Sequence, residues 1–445
     1  MKYLFFAALL LSTISAVAQK RPEVLATSTA MTFTSDSLTG EGRQLYDQQT
    51  EIIARVRTRA LTEMLAGIVL ELEAKAMNST PEKLIAAAKA KIPEPTAELI
   101  REVYDKNRSA VGDKSVDEVR PQIVQFLRSD AEQKAVQNYV QALQLRYKLS
   151  LGKDINAPDL KPLENVATVG TRSISAQEFE AKNKFELGDA RAELYEQIRG
   201  SLEDAILSAL LAEEAKSRGM DAGTLIAAEI TDKMVSYTDE ERATLEAALE
   251  KQLQEKYKVK ILLKAPEPVA RNVSVDDDPS FGNPAAPVTI VMFTDFQCPA
   301  CSATHPVLKK VVAEYGDKVR LVVRDNPLER IHENSFLAAR AAGAANIQGK
   351  FKEYIELLYT NQSALDKASL VRYAGELGLN VKQFELDLTS EKAAAEIRKD
   401  LADGRSYGVD GTPTIFVNGV RVQRLSADGF RRAIDAALAR KMGNG

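Results

Sequence analysis

The chain has little cysteine, histidine or tryptophan for its length. Its 445 residues include two cysteines, two histidines and no tryptophan. Two cysteines cannot form a disulfide framework, because such frameworks fasten small domains through several bridges. A zinc site needs about four ligands, so His305 and His332 would both have to join the cysteines. The two cysteines are therefore not expected to hold the fold together, and a role at one site is more consistent with their number.

The sequence is not strongly charged in either sense, and its longest apolar run is at the start. The formal net charge is −4 and both signs are interspersed, which gives no electrostatic case for nucleic-acid binding. The apolar run, residues 3–14, follows a basic start and precedes the small-residue site Ala16-Val17-Ala18. It is shorter than the roughly 18–20 residues of a membrane span, so residues 1–18 are predicted to be a secretory signal peptide, with an uncleaved anchor as the alternative. We therefore expect an exported, periplasmic protein without a stable membrane span.

Both cysteines lie in one tetrapeptide, Cys298-Pro299-Ala300-Cys301. It follows an apolar run, residues 288–293, that is typical of a buried strand, and it opens a helical stretch over 302–315. At a helix start, unpaired N–H groups and the helix dipole stabilise a thiolate at Cys298, while Cys301 lies one turn further on the same face. This spacing predicts a redox-active dithiol. The alternatives are a zinc site, a structural disulfide closing a very short loop, and two inert thiols.

The first half of the chain is rich in helix-forming residues. Ala, Leu, Glu and Lys dominate residues 41–260. Residues 61–87 align without gaps on 202–228, and the first copy is expected to carry an insertion at about 109–133. We therefore predict two helical repeats, 19–160 and 161–265, with chance similarity between helical sequences as the alternative.

Apolar residues recur at helical spacing in both copies. One stripe is Leu61, Leu65, Ile68 and Leu72, and the other is Leu202, Ile206 and Leu210. Such stripes usually pack on neighbouring helices; the alternative is an apolar face left open as a groove for unfolded chains or a second subunit. Residues 166–179 resemble the short strand and helix start of SurA, PrsA and related periplasmic chaperones, and residues 25–35 resemble a degraded copy. The resemblance implies a chaperone-like module over about 23–266.

The C-terminal part carries a more specific signal. Residues 266–280, with prolines and an acidic cluster, are predicted to be a partly extended linker. Residues 281–301 and 411–419 then resemble two motifs of the DsbA-like thioredoxin family. The resemblance implies a thioredoxin-fold domain over 281–445, with a helical insertion at about 334–401.

Local patterns near the C-terminus agree with that fold. Residues 414–417 and 420–422 are strand-like and are joined by Asn418-Gly419, a good hairpin turn, and a last helix is expected at about 427–440. The predicted fold class is multidomain, with an all-α, duplicated N-terminal half and an α/β thioredoxin-fold domain with a helical insertion.

The resemblance also assigns roles to residues. Cys298 matches the family's exposed nucleophile and Cys301 its resolving thiol. Pro413 matches a loop proline that faces the dithiol after a cis peptide bond, and Thr412 would present its backbone to a substrate strand beside the sulfurs. An ordinary turn before a strand is the alternative for Thr412-Pro413. The expected redox group is the Cys298–Cys301 disulfide itself, without a further cofactor or metal.

The chain departs from the family at one buried position. An acidic residue is usual six positions before the first cysteine, and this chain has Met292 there. Asp295 and His305 are the candidate proton-transfer residues, although a partly solvated or helix-capping Asp295 and a packing or surface His305 are the more ordinary roles. His332 is expected to be structural. The missing buried carboxylate should favour the Cys298 thiolate.

Together these features predict an exported thiol–disulfide oxidoreductase that forms disulfides in secreted or periplasmic proteins. The alternatives are an isomerase or reductase whose helical half dimerises or holds clients, and a chaperone with a vestigial redox domain. Pro299-Ala300 places no cation between the cysteines, so we expect a less extreme oxidant than relatives with a histidine there. The expected partners are folding exported proteins with cysteines, a redox partner that recycles the dithiol, and a second copy of the chain.

Overall fold

A computed structural model describes residues 22–443. The predicted signal peptide, residues 1–18, lies outside this range. The chain divides into two compact units: one contains the described residues up to Gln49 with Leu194–Ala265, and the other contains Thr50–Glu193 with the described residues from Pro266 onward. The boundary after Ala265 falls where the linker was predicted to begin. The boundaries after Gln49 and Glu193 both fall inside long helices.

Helices make up most of the regular structure, together with short strands. The helices are α1 (Gly40–Ala76), α2 (Pro81–Lys89), α3 (Ala97–Lys106), α4 (Arg108–Val111), α5 (Val116–Arg146), α6 (Ala176–Ser217), α7 (Ala222–Glu229), α8 (Asp239–Lys256), α9 (Pro299–Tyr315), α10 (Ser335–Ile347), α11 (Phe351–Thr360), α12 (Lys367–Glu376), α13 (Val381–Leu388), α14 (Glu391–Ser406) and α15 (Ala427–Gly443). The strands are β1 (Val24–Thr27), β2 (Thr32–Thr34), β3 (Leu149–Leu151), β4 (Asn165–Val169), β5 (Arg172–Ser175), β6 (Lys260–Ile261), β7 (Ser280–Gly282), β8 (Val288–Thr294), β9 (Val319–Asp325), β10 (Thr414–Val417) and β11 (Val420–Arg421). The N-terminal half is therefore helical, as predicted, with two small sheets added to it.

The two small sheets have the same strand number. In the first unit the order is β2-β1-β6, and in the second unit it is β3-β4-β5, with antiparallel pairing throughout. The apolar stripes of the long helices are mostly packed: the side chains buried there are Leu61, Leu65, Ile68, Leu202, Ile206 and Leu210. Leu72 is the exception, with 39% of its surface exposed. The stripes thus serve as core, which is the ordinary outcome for amphipathic helices.

A buried glutamate occurs at the equivalent position of both predicted repeats. Glu73 accepts a hydrogen bond from the Tyr147 hydroxyl at 2.8 Å, and Glu214 accepts one from the Tyr257 hydroxyl at 2.9 Å. Each tyrosine is followed in the sequence by a lysine with positive φ, Lys148 at 50° and Lys258 at 51°. A buried carboxylate is tolerated when such donors satisfy it. The two aligned segments therefore repeat a local geometry as well as a sequence pattern.

The C-terminal domain is built on a five-stranded sheet of order β11-β10-β8-β9-β7. Strands β8 and β9 are parallel, and the other pairs are antiparallel. Alternate residues of β8 face opposite sides, so Met292 joins the large core that includes α9 and α10, while Phe293 joins a smaller cluster on the other face. Helices α10 to α14 lie between β9 and β10 and form the helical insertion that was expected at about 334–401.

Residues 266–280, predicted to be a linker, are fixed to this domain. The Arg271 side chain is buried, its backbone N–H donates to the Gly419 carbonyl at 2.8 Å, and its guanidinium pairs with Asp189. At Gly419, where φ is +78°, an added Cβ would lie 2.0 Å from the Arg271 carbonyl oxygen, so this close approach requires glycine. The segment has little regular secondary structure but is held by a buried cation.

Candidate active site

The dithiol lies where strand β8 passes into helix α9. Cys298 caps the N-terminus of α9 and Pro299 is its first residue, so the helix begins three residues earlier than residue 302. The backbone N–H of Cys298 donates to the Asp295 carbonyl at 3.1 Å, and its carbonyl accepts from Ser302 at 3.1 Å. Both thiols are free. Cys298 has 6% of its surface exposed and Cys301 has none, so the less buried sulfur is the one at the helix start.

The two sulfurs differ in proton affinity. A hydrogen bond from Cys301, together with Thr412 and the N–H groups of Ala300 and Cys301, lowers the pKa of Cys298 to about 5 against the opposing effect of burial. The same hydrogen bond, which Cys301 donates to Cys298, and then burial raise the pKa of Cys301 above its usual range. At neutral pH the site therefore holds a thiolate at Cys298 and a thiol at Cys301, as a nucleophile and a resolving group require.

The loop before β10 faces the thiolate. The Thr412–Pro413 peptide bond is cis, as the family resemblance implies. The Thr412 carbonyl oxygen lies 3.5 Å from Cys298 Sγ, and both loop residues are partly exposed. A backbone segment beside the sulfur is thus open to a peptide strand.

Asp295 does not lie where it was expected. The prediction of partial solvent contact is wrong, since the residue is 1% exposed. Its carboxylate accepts hydrogen bonds from the backbone N–H of Gln297 at 2.8 Å, from that of Leu328 at 2.9 Å and from His332 Nδ1 at 2.7 Å. These donors replace water, so a charged carboxylate is accommodated in the turn that precedes Cys298. A proton-transfer role for Asp295 stays a prediction.

The histidines are both placed by carboxylates. His332, expected to be structural, contacts Asp295 and so belongs to the surroundings of the dithiol. His305 is buried on α9, with Nε2 3.0 Å from Glu356 Oε1 and its ring 4.7 Å from that of Tyr359. Burial lowers the pKa of His305, with Glu356 opposing it. A neutral, packed imidazole fits the ordinary role weighed for it, and its proton-transfer role stays a prediction.

Three further residues contact this site and were not predicted from the sequence: Gln362, Tyr359 and Thr294. Gln362 Nε2 donates to the carbonyl oxygens of Phe296 and Cys298, each at 2.9 Å. The Tyr359 hydroxyl lies 2.7 Å from the Thr294 hydroxyl. Tyr359 and Gln362 come from the helical insertion, 65 residues after Thr294 and 64 residues after Cys298, respectively. No local pattern marks them, because their contacts depend on how the insertion packs.

The described part of the chain has neither a metal-binding cluster nor a membrane-spanning helix. Within residues 22–443, no group of three or more His, Cys, Asp or Glu side chains is arranged to hold a metal ion. Over the same range, none of the helices is both long enough and apolar enough to cross a membrane.

Comparison with known proteins decides the family of this domain. A family model described as Thioredoxin matches residues 274–436. Residues 274–436 are a thioredoxin-family domain. The thioredoxin domain begins inside the segment predicted to be a linker, which agrees with the way that segment packs. Its fold and its asymmetric dithiol support thiol–disulfide oxidoreductase activity.

Solved structures similar to the thioredoxin domain include three bacterial proteins. A thioredoxin-like oxidoreductase from Silicibacter pomeroyi is 30% identical, with a TM-score of 0.36 over 38% of this chain and 99% of that one. BdbD from Bacillus subtilis is 24% identical, with a TM-score of 0.35 over 39% and 100%. The catalytic domain of Proteus mirabilis ScsC is 23% identical, with a TM-score of 0.33 over 38% and 93%.

Curated relatives of the chain include proteins named Na(+)/H(+) antiporters. NhaA 1 of Mycolicibacterium gilvum is 39% identical over 165 residues, which are 36% of this chain and 27% of the relative. NhaA 3 of Salinispora tropica is 40% identical over 149 residues, which are 34% and 23%. The chain thus spans about a quarter of the length of these relatives.

Proposed function

We propose that this protein is an exported thiol–disulfide oxidoreductase that forms disulfides in secreted or periplasmic proteins through Cys298 and Cys301. The observation that carries the proposal is the asymmetric pair at the start of α9. Cys298 has a pKa lowered to about 5 and lies beside an open backbone loop, while Cys301 is fully buried and keeps its proton. Such a pair favours the reduced dithiol, because the thiolate is stabilised.

The reaction is a pair of thiol exchanges. A client thiolate attacks Cys298 Sγ of the oxidised site, the Cys298–Cys301 bond breaks, and Cys301 leaves with the electron pair and takes up a proton. A second client thiolate then attacks the client sulfur of the mixed disulfide, and Cys298 leaves as a thiolate. The client is oxidised by two electrons and the dithiol is reduced by two.

The Thr412 backbone supplies a docking edge for the client. Its carbonyl oxygen lies 3.5 Å from Cys298 Sγ, so a peptide paired to this loop would bring its cysteine next to the reactive sulfur. Pairing through main-chain groups is largely independent of sequence, which suits an enzyme with many clients. A signal peptide over residues 1–18 would deliver the protein to the periplasm, where a separate redox partner must reoxidise the dithiol.

Equilibration of the purified protein with glutathione buffers tests the direction of exchange. A reduction potential near that of strong protein oxidants supports disulfide formation, whereas a potential like that of thioredoxin contradicts it. The variant Cys301→Ser should accumulate mixed disulfides with exported proteins in the periplasm. Its control is Cys298→Ser, which should accumulate none.

A second candidate function is client holding by the helical half. Among the described residues of this half, six large hydrophobic side chains are more than two-thirds exposed: Phe126, Leu145, Leu151, Leu163, Val235 and Tyr237. Exposed apolar side chains are a feature of surfaces that bind unfolded chains. A full-length Cys298→Ala/Cys301→Ala variant should then still suppress aggregation of a cysteine-free unfolded protein. If it does not, the helical half has another role, such as dimerisation.

A further inference from the structure

The sheet face beneath the dithiol becomes polar just beyond Met292. Met292 of β8 and Val323 of β9 face the large core, and two residues further along their strands the same face carries Thr294 and Asp325. Thr294 and Asp325 are directly paired in the parallel ladder. Neighbouring strands lie about 4.8 Å apart, so these two side chains are adjacent on the face below the thiols.

Thr294 connects this polar pair to Cys301. The Thr294 side chain is buried, and a hydrogen bond from it opposes the rise in the pKa of Cys301. Its hydroxyl also lies 2.7 Å from the Tyr359 hydroxyl, and either group can donate. A hydroxyl that bonds to two partners can accept a proton from one and pass its own proton to the other.

Tyr359 is held in place on three sides. Its ring packs 5.3 Å from that of Phe296 and 4.7 Å from that of His305, measured between centroids. Its backbone carbonyl accepts a hydrogen bond from Ser302 Oγ at 3.0 Å, one residue beyond Cys301. The hydroxyl is therefore positioned against Thr294 rather than free to turn toward water.

We propose that Thr294, Tyr359 and Asp325 form a relay that moves the proton of Cys301 in place of the buried acid that Met292 replaces. The proposal rests on the exchange chemistry proposed above. Thr294 contacts the reacting sulfur and is the catalytic member. Tyr359 and Asp325 act through it and are positioning residues.

Each step of the relay balances. When the Cys298–Cys301 bond breaks, the Cys301 sulfur takes a proton from the Thr294 hydroxyl, Thr294 takes one from Tyr359, and Tyr359 takes one from the Asp325 carboxyl. The carboxylate then regains a proton from water. In the reducing direction every transfer reverses, and the Cys301 thiolate attacks Cys298 Sγ while the client sulfur leaves.

The surroundings of Asp325 suit the end of such a relay. Burial, then the charges of Asp400 and Asp295, raise the pKa of Asp325 well above its ordinary value, which favours the protonated carboxyl. Asp325 is paired with Thr294 in the ladder, and Tyr359 contacts the Thr294 hydroxyl, so the two groups share this residue as a neighbour. Asp325 is partly exposed and lines a cavity of about 280 Å³, which gives water a way to reach it.

Other charged groups lie around the relay, and only Asp325 is in register with Thr294. They are Asp295 with His332, His305 on α9, Asp400 on α14, Arg324 on β9, and Asp278 and Arg340 across the cavity. His305 is committed to Glu356 and the ring face of Tyr359, and Asp295 is committed to three donors of its own. The pH profile of the relay is therefore expected to follow Asp325 and Cys301.

The test compares two buried tyrosines of α11. Tyr359→Phe removes the relay hydroxyl, and the matched control Tyr354→Phe removes a hydroxyl that donates to the Leu370 carbonyl at 2.9 Å. We expect Tyr359→Phe to slow the resolution of a mixed disulfide on Cys298 by about 100-fold at neutral pH, the usual size of a general acid–base effect. The rate should then rise with pH, as hydroxide takes over. The alkylation rate of Cys298 should not change in either variant.

Two further variants keep the test decisive. If circular dichroism shows that Tyr359→Phe is misfolded, Thr294→Val and Asp325→Asn should show the same slow, pH-dependent resolution. An unchanged resolution rate and pH profile in the folded variants would overturn the relay. If the unaltered protein exchanges no disulfide with glutathione, the proposed function fails instead, so the two failures are distinguishable.

Discussion

On one face of the five-stranded sheet lie the dithiol, Thr294 and Asp325; on the other lies Arg324, which is completely buried among carboxylates. Arg324 pairs with Asp278 and Asp403, each at 2.9 Å, and with Asp400. Both faces therefore bury ionisable groups within one small domain. The pKa of Cys298 on the first face is lowered, whereas the pKa of Asp278 on the second face is raised.

Burial disfavours the charged form of both groups, and the neighbours of each group decide whether that effect is overcome. Cys298 is surrounded by N–H, O–H and S–H donors, which stabilise its charged form and lower its pKa to about 5. On the other face, carboxylates outnumber the guanidinium. Burial of Asp278 and its hydrogen bond with Asp276 therefore raise the pKa of Asp278 to about 9. Cys298 therefore gives up its proton below neutral pH, whereas Asp278 keeps its proton above neutral pH.

The largest expected effect separates the two cysteines of the first face. Cys298→Ser should lower the rate of disulfide exchange by about 1,000-fold or more, because the nucleophile is lost. Cys301→Ser should still react with a client disulfide and then stop at the mixed disulfide. Mass spectrometry of the products with a model disulfide peptide distinguishes them, and equal trapping by both variants would contradict the assigned roles.

Removing the cation of the second face should affect stability and leave chemistry intact. We expect Arg324→Met to lower the free energy of unfolding by about 3–5 kcal/mol, because it leaves buried carboxylates without their counter-charge. The control is Arg398→Met on α14, whose guanidinium is 60% exposed and pairs with the exposed Glu391. Denaturant unfolding measures the loss. A large fall in Cys298 alkylation rate in still-folded Arg324→Met would show that the faces are not independent.

The pH dependence of alkylation tests the thiolate directly. Between about pH 6 and 8 an ordinary thiol reacts roughly 100-fold faster at the upper end, because its thiolate fraction rises tenfold per pH unit. Cys298, with a pKa of about 5, should change its rate by less than about twofold over this interval. An alkylation rate that rises with pH as steeply as that of a free thiol would contradict the lowered pKa of Cys298.

The smallest effect, counted per pH unit, is a pair of opposite slopes in the dependence of the free energy of unfolding on pH. The folded reduced protein has lost the Cys298 proton that the unfolded chain keeps, so this contribution grows as pH rises from about 5 to 8.5, and it vanishes on oxidation. The folded protein keeps the Asp278 proton that the unfolded chain loses, so that contribution falls between about pH 4 and 9. Each slope is at most about 1.4 kcal/mol per pH unit.

Two measurements isolate these slopes. Unfolding free energies of the reduced and oxidised forms, compared across pH, give the Cys298 contribution as their difference. The Asp278→Asn variant should flatten the fall toward pH 9 in both redox forms. If the reduced and oxidised proteins follow parallel curves, the Cys298 pKa is not lowered in the folded state.

The elements that sequence patterns predict well are those defined locally. Asn418-Gly419 indicated a hairpin turn, and both residues have positive φ, at 46° and 78°. The apolar run before the dithiol became β8, and the dithiol caps α9. Asp295 was placed wrongly because its donors, Leu328 and His332, are 33 and 37 residues away. Tyr359 and Gln362 were missed for the same reason. The apolar periodicity of the insertion predicts its helices, but it does not predict which residues of the sheet and of α9 those helices contact.

The close approach of Gly419 and Arg271 determines where a stable fragment of the C-terminal domain can begin. Because Arg271 lies against that glycine and is paired with Asp189, residues before β7 belong to the folded body of the domain. A fragment cut at residue 281 would expose the pocket that this arginine fills and would leave the surface beside β10 and β11 bare. The solution properties of such a fragment would then reflect its newly exposed surface and not the properties of the intact domain. A protease that cleaves the intact protein should accordingly spare residues 266–280, although they look like a tether.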